Sequence, residues 1–346
     1  MKICIYSDPH WSTYSSILRQ RGIKYSKRLE GLINSINWVE SLAKNNYCNE
    51  IYCLGDFFDR NNLTAEEITA LNDICWSDLP HLFLVGNHEI TTSNLEMNSL
   101  NVLRKIGNVI DKPSIKYING CNLVFLPYLD EDTRQPLKEI LDGLWLQQPK
   151  TIIFSHNDIR GIQYGAYTSE FGFSLDEIEN NCNMFINGHL HNCNFVNKRD
   201  DIPVLNIGNL TGLNFTENAF ECKHFACILD TDTLDLQFYE NPYAFYFYSI
   251  NTISNEFQLD TLDILPNNSL VSVKVVENLL PKVKDKLNRN YNVIAHREVI
   301  IPDNNVTTGE HITLTKVNHI DKFKEFCLSQ LGNLELVKKE LNEICK

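Results

Sequence analysis

The sequence predicts an α/β fold followed by a smaller second unit. Short apolar runs end on polar side chains able to bind a metal, helix-period segments lie between them, and strands dominate after residue 191. With 346 residues, 43% of them hydrophobic, the chain can bury a core large enough for one main domain and a minor one. Its formal net charge of −13 excludes a generally basic nucleic-acid coat, although it leaves room for a local basic patch or for metals that add positive charge in a cleft. The 11 cysteines include no CxxC pair and sit among apolar neighbours, as in Ile3-Cys4-Ile5, so they read as reduced core thiols. Asp8 interrupts the first apolar run too early for a signal peptide, and no run approaches membrane-spanning length. A cytoplasmic protein that does not contact membranes is expected.

Taken in order, Ile3–Tyr6 is a strand leading to Ser7-Asp8-Pro9-His10, and Leu29–Leu42 is a helix with apolar residues at 29, 32, 33, 36 and 39. Ile51–Leu54 is a strand that Gly55 closes with a tight exit, so that Asp56 stands at its end, where ligands bind in open α/β sheets. Ala65–Ile74 is helical. Leu82–Val85 leads to Gly86-Asn87-His88-Glu89, Leu123–Tyr128 is a further strand, and Leu137–Leu144 a helix. Thr151–Phe154 leads to Ser155-His156, and Met184–Ile186 to Asn187-Gly188-His189-Leu190-His191. Strands then follow at Val204–Ile207, Phe225–Leu229 and Leu234–Tyr239. Asn241-Pro242 marks a boundary, after which a β-α-β unit (270–276, 279–287, 293–301) precedes a polar loop and helices over 318–346. The division expected is therefore 1–241, 242–310 and 311–346.

The chain has ten histidines, and His10, His88, His156, His189 and His191 are the ones that follow apolar runs. The others, His81, His224, His296, His311 and His319, lack that context and read as structural. Asp8 and His10, two residues apart where a strand ends, can turn toward one ion; His189 and His191 repeat the spacing. Two metals sharing a carboxylate need about seven protein ligands, and Asp8, His10, Asp56, Asn87, His156, His189 and His191 supply that number. Oxygen and nitrogen ligands without thiolate favour manganese or iron over structural zinc.

The ordered blocks Asp8-Pro9-His10, Gly55-Asp56-Phe57-Phe58-Asp59-Arg60, Gly86-Asn87-His88-Glu89, Ser155-His156 and Gly188-His189-Leu190-His191 resemble the calcineurin-like metallophosphoesterase signature. The resemblance implies a two-sheet β sandwich flanked by helices, with two divalent metals at the strand ends. It implies that Asp8, His10, Asp56 and His191 hold one metal and Asp56, Asn87, His156 and His189 the other, with Asp56 as the bridge. His88 is then the residue facing the scissile phosphate, and Asp59 resembles the acid that pairs with this histidine in related phosphatases. Such a centre suits two-metal hydrolysis of a phosphoester.

The layout past the catalytic blocks, a small βαβ cap and a helical tail, resembles the SbcD-like recombination nucleases, and most of all the short bacteriophage-type endonuclease subunit. That implies a manganese-dependent DNA exonuclease or endonuclease of recombination, repair or replication, with magnesium or iron as other compatible metals. It also implies a homodimer with an SbcC-like coiled-coil ATPase docked on the C-terminal helices, in the host cytoplasm if the gene is a phage's. The cluster Arg19, Arg21, Lys24, Lys27 and Arg28 is a candidate DNA contact, as are Arg60 and, on the cap helix, Lys282, Lys284, Lys286 and Arg289. Glu89 together with Asp59-Arg60 resembles protein phosphatases, whose arginine grips phosphate, so a phosphatase or small-molecule phosphodiesterase is the alternative.

Overall fold

The computed structural model describes residues 1–302 apart from 16, 19, 93, 165 and 166. The expected tail helices, the end of the cap at 303–310, His311, His319 and Arg19 lie outside the described residues.

Two six-stranded sheets face each other. In the first, Gly107–Ile110, His81–Leu84, Glu50–Cys53 and Lys2–Tyr6 run parallel, and Phe225–Asp230 and Leu236–Glu240 complete it antiparallel. In the second, Cys121–Leu126, Lys150–Ser155, Met184–Asn187 and Val204–Asn206 are parallel, edged by the antiparallel strands Ser114–Ile118 and Asn194–Phe195. The parallel strands read as continuous apolar runs because both of their faces are covered. Ile3, Ile5, Tyr52 and Leu54 point between the sheets onto Phe125, Ile152, Phe154 and Ile186. Cys4, Tyr6, Ile51 and Cys53, one residue out of phase, point outward onto Leu29, Leu32, Ile36 and Val39 of the helix Lys27–Asn45. The second sheet packs its outer face, Val124, Ile153 and Phe185, on the helices Leu137–Leu144 and Leu175–Glu179. The result is a two-sheet sandwich with helices on both sides.

Ser26 caps the long helix by accepting from the Leu29 amide. The expected helix over 65–74 is shorter: Thr64 and Glu67 form a capping box for Ala65–Ala70, and the chain continues as a 3₁₀ turn over Leu71–Asp73.

A third sheet holds the parallel strands Tyr246–Ile253, Ser269–Val276 and Val293–Ile301. The helix Leu280–Arg289 connects the last two and packs Val283 and Leu287 on Val271 and Val273. The β-α-β expectation thus acquires an extra strand from the aromatic stretch at 243–248. Residues 1–302 cluster as one compact unit. No helix among the described residues is long and apolar enough to cross a membrane, and their nine cysteines are free.

Candidate metal centre

The site lies where the parallel strands of both sheets end. Beyond Lys2–Tyr6 and Glu50–Cys53 the two chains keep step: the amides of Asp8 and His10 donate to the carbonyls of Gly55 and Asp56, each at 3.1 Å. This brings the first acid-imidazole pair alongside Asp56. Asp8, His10, Asp56 and His189 all have left-handed backbone, with φ of 51°, 48°, 47° and 68°. Non-glycine residues adopt that region at a cost, and such strain gathers at functional sites. Glycines let the strand ends close up. A Cβ on Gly86 would lie 2.2 Å from Asp56 Oδ1, and one on Gly55 2.2 Å from His156 Nδ1.

Three clusters of potential ligand atoms result: Asp8, His10 and His191; His10, Asp56 and His88; and Asp56, His156 and His189. His10 Nε2 and His191 Nε2 are 3.2 Å apart. His156 Nε2 lies 3.2 Å from Asp56 Oδ2 and 3.2 Å from Asn87 Oδ1, which is also 3.0 Å from His189 Nδ1. All seven expected ligands therefore converge on one place.

The outer nitrogens of these imidazoles have partners. His156 Nδ1 donates to the Leu54 carbonyl at 2.6 Å, and His191 Nδ1 to Glu217 Oε1 at 2.8 Å. Each bond fixes the proton on the outer nitrogen and leaves Nε2 facing inward, the arrangement of a metal-ligating histidine. His189 Nε2 is 3.5 Å from Asp158. Buried Asp8 Oδ1 has no hydrogen-bond partner in the protein, and the facing Nε2 atoms of His10 and His191 call for a cation between them. The residues therefore fit divalent metal ions.

Electrostatics agree with this arrangement. Burial alone would raise the Asp56 carboxyl, but His156, His10 and His88 outweigh it and hold it well below the usual range. Burial opposes protonation of His156, yet Asp56 and Asp8 push it up to about 10. Burial lowers His10, with Asp59 opposing.

Several expectations need correction. The Asp59 carboxylate does not pair with His88: its Oδ1 lies 3.4 Å from His10 Nδ1. The backbone carbonyl of Asp59, 2.8 Å from His88 Nδ1, orients His88 instead. Arg60 turns away onto Glu67 at 2.9 Å and is not aimed at the site. Arg28 is buried, donating to the carbonyls of His10 and Gly212, and so cannot reach DNA. Arg21 and Lys24 are exposed but paired with Glu66 at 2.9 Å and Asp73 at 2.6 Å, and only Lys27 is exposed without an ion pair among the described residues of that cluster. On the cap helix, Lys282, Lys286 and Arg289 are likewise paired with acids. Glu89 does not face the site as a phosphatase-like residue. It is buried and accepts from the amides of Asp56, Phe58 and Gly86 at 3.1, 2.8 and 2.8 Å, clamping the two loops together. Burial and the charge of Asp56 push its carboxyl up to about 8.

Sequence reasoning missed Glu217 and Asp158. Glu217 lies 26 positions beyond His191 in no motif, so its spacing carries no signal.

A family model described as calcineurin-like phosphoesterase matches residues 1–193. The chain belongs to the calcineurin-like phosphoesterase family, and its clusters imply bound divalent metals. Similar solved structures include an archaeal phosphodiesterase, 15% identical, covering 69% of this chain and 99% of that one with a TM-score of 0.37. A dimetal phosphatase from Danio rerio is 14% identical over 66% of this chain and 91% of its own, TM-score 0.40. The protein TT1561 of Thermus thermophilus is 13% identical over 69% and 98%, TM-score 0.42. No curated protein matches the chain.

Proposed function

We propose that this metal-dependent phosphoesterase is a DNA nuclease. The observation that carries phosphoester hydrolysis is the set of three overlapping acid-imidazole clusters around Asp56, one of which includes half-exposed His88. In this reading Asp8, His10, Asp56 and His191 hold one ion, and Asp56, Asn87, His156 and His189 the second. Bound there, manganese ions would supply Lewis acidity and neutralise the phosphate. Glu217 and Asp59 orient His191 and His10. His88 Nδ1 carries its proton toward the Asp59 carbonyl, so Nε2, 3.9 Å from Asp56 Oδ2, is the atom that exchanges a proton with the leaving oxygen.

The choice of DNA is supported by the order of the motif blocks and by the extra sheet over 246–301, a layout like that of SbcD-like nucleases. The turn of Arg60 onto Glu67 removes the main feature favouring a phosphatase. The same reading includes a homodimer and an SbcC-like ATPase docked on residues 311–346. The test is a nuclease assay with manganese, with and without a co-expressed ATPase of that type: duplex ends should be degraded. Efficient hydrolysis of phosphopeptides or cyclic nucleotides with no cleavage of DNA would overturn the nuclease reading.

A further inference from the structure

A second concavity, roughly 610 Å³, opens between the loop Asn214–Thr216 and the free face of the third sheet. Its volume lies within the roughly 300–1,000 Å³ of small-ligand sites. Ser249, Ser272 and Arg297 occupy one register row across the three strands, and Lys274 lies two residues further along the central strand. The Arg297 guanidinium donates to Ser272 Oγ at 3.2 and 3.0 Å and lies 5.2 Å from the Phe215 ring centre, so it is held in place. Neither Arg297 nor Lys274 has an acidic partner among the described residues, and no acid lines the cavity, although the chain as a whole carries −13. The loop also leads to the metal centre: two residues after Phe215, Glu217 holds His191 at 2.8 Å.

We propose that this cavity receives one unpaired nucleotide of a DNA strand entering the metal centre. Its phosphate lies on Arg297 and Lys274, and its base sits against Phe215 and the amides of Asn214 and Asn251. A concave, aromatic-walled site suits a nucleotide out of the stack, whereas a rail of lysines would suit a smooth duplex backbone. The inference rests on the nucleic-acid reading above and adds to it a preference for single-stranded ends.

Binding of a fluorescein-labelled single-stranded 12-mer and of a blunt duplex of equal length tests it, read by anisotropy without added metal so that neither is cut. In the double variant Arg297→Gln, Lys274→Gln, affinity for the single strand should fall roughly 5- to 20-fold, and affinity for the duplex less than about twofold. The slope of log affinity against log salt should flatten by about 0.7, the value for one phosphate contact on a single strand. Lys274→Gln alone, which removes an exposed side chain without an ion pair, should give half of that change and guards against misfolding of the double variant. Equal losses on both probes, or no loss on the single strand, would overturn the pocket. A wild-type protein that binds neither probe would overturn the nucleic-acid reading itself.

Discussion

At the scale of single residues, Asp56 and Asp59 separate roles that proximity in sequence merges. Asp56 shares one candidate cluster with His10, of the first proposed metal position, and another with His156 and His189, of the second, so Asp56→Asn should lower the affinity of both positions. Asp59 touches His10 by its side chain and His88 by its carbonyl. Replacing the carboxylate should therefore weaken metal binding and leave the His88 orientation intact. Asp59→Ala is expected to cost roughly 10-fold in metal affinity, as for other partners of ligating histidines, measured by calorimetric titration with manganese. His88→Ala is expected to abolish hydrolysis while both metals stay bound, checked by elemental analysis of the purified variant; loss of metal would refute its assigned role. The convergence of the candidate ligand residues was legible in the sequence because each follows an apolar run that ends where the sheets end. Side-chain direction was not legible, since Asp59 and Arg60 have several partners within reach. Arg28 did carry a signal: it stands four residues before Leu32 and eight before Ile36, on the buried stripe of its helix.

At the scale of elements, the loops that carry the ligands are tied down by buried acids. Glu89 satisfies three amides from two loops, so Glu89→Ala should destabilise the fold by about 2–4 kcal/mol in denaturant titration, each orphaned buried amide adding to the loss. The Asn209–His224 segment is held by a chain from His224 through Asn209 to Glu217 and His191. Burial pushes His224 down to about 4 from its ordinary 6.5. The folded state therefore binds fewer protons than the unfolded chain between those values. The resulting stability is complete above pH 6.5, falls as the pH drops toward 4, and changes no further below it. The loss should reach roughly 3 kcal/mol, and His224→Gln should flatten this part of the pH-stability curve. Most strands were legible as apolar runs, and the expected helix over 137–144 and strand over 293–301 match the observed bounds. Gly107–Ile110 and Ser114–Ile118 escaped notice because the first is half-exposed over Gly107 and Asn108 and the second is an edge strand without a buried face. Tyr246–Ile253 was hidden by its own aromatic density, which reads as a cluster more readily than as a strand.

At the scale of the whole molecule, the proposed nuclease reading asks an acidic chain to act on a polyanion, with positive charge gathered at one place. Most cations that face solvent are paired with carboxylates, and the seven candidate ligand residues from five strand ends converge on one place. The order of those blocks made the family legible. The substrate was less so, because it is set outside the metal ligands. In the proposed complex, deleting residues 318–346 should abolish co-purification of the ATPase and leave manganese-dependent cleavage of a short substrate intact; persistent co-purification would contradict docking through the tail. The central claim, two metals sharing Asp56, is tested most directly by manganese stoichiometry, measured by elemental analysis of the wild type and of Asp56→Asn alongside hydrolysis of bis(p-nitrophenyl) phosphate. The account predicts about two ions per wild-type chain, with both ions and hydrolysis lost together in the variant. A wild type saturating at one ion, or an Asp56→Asn protein that keeps both, would contradict it.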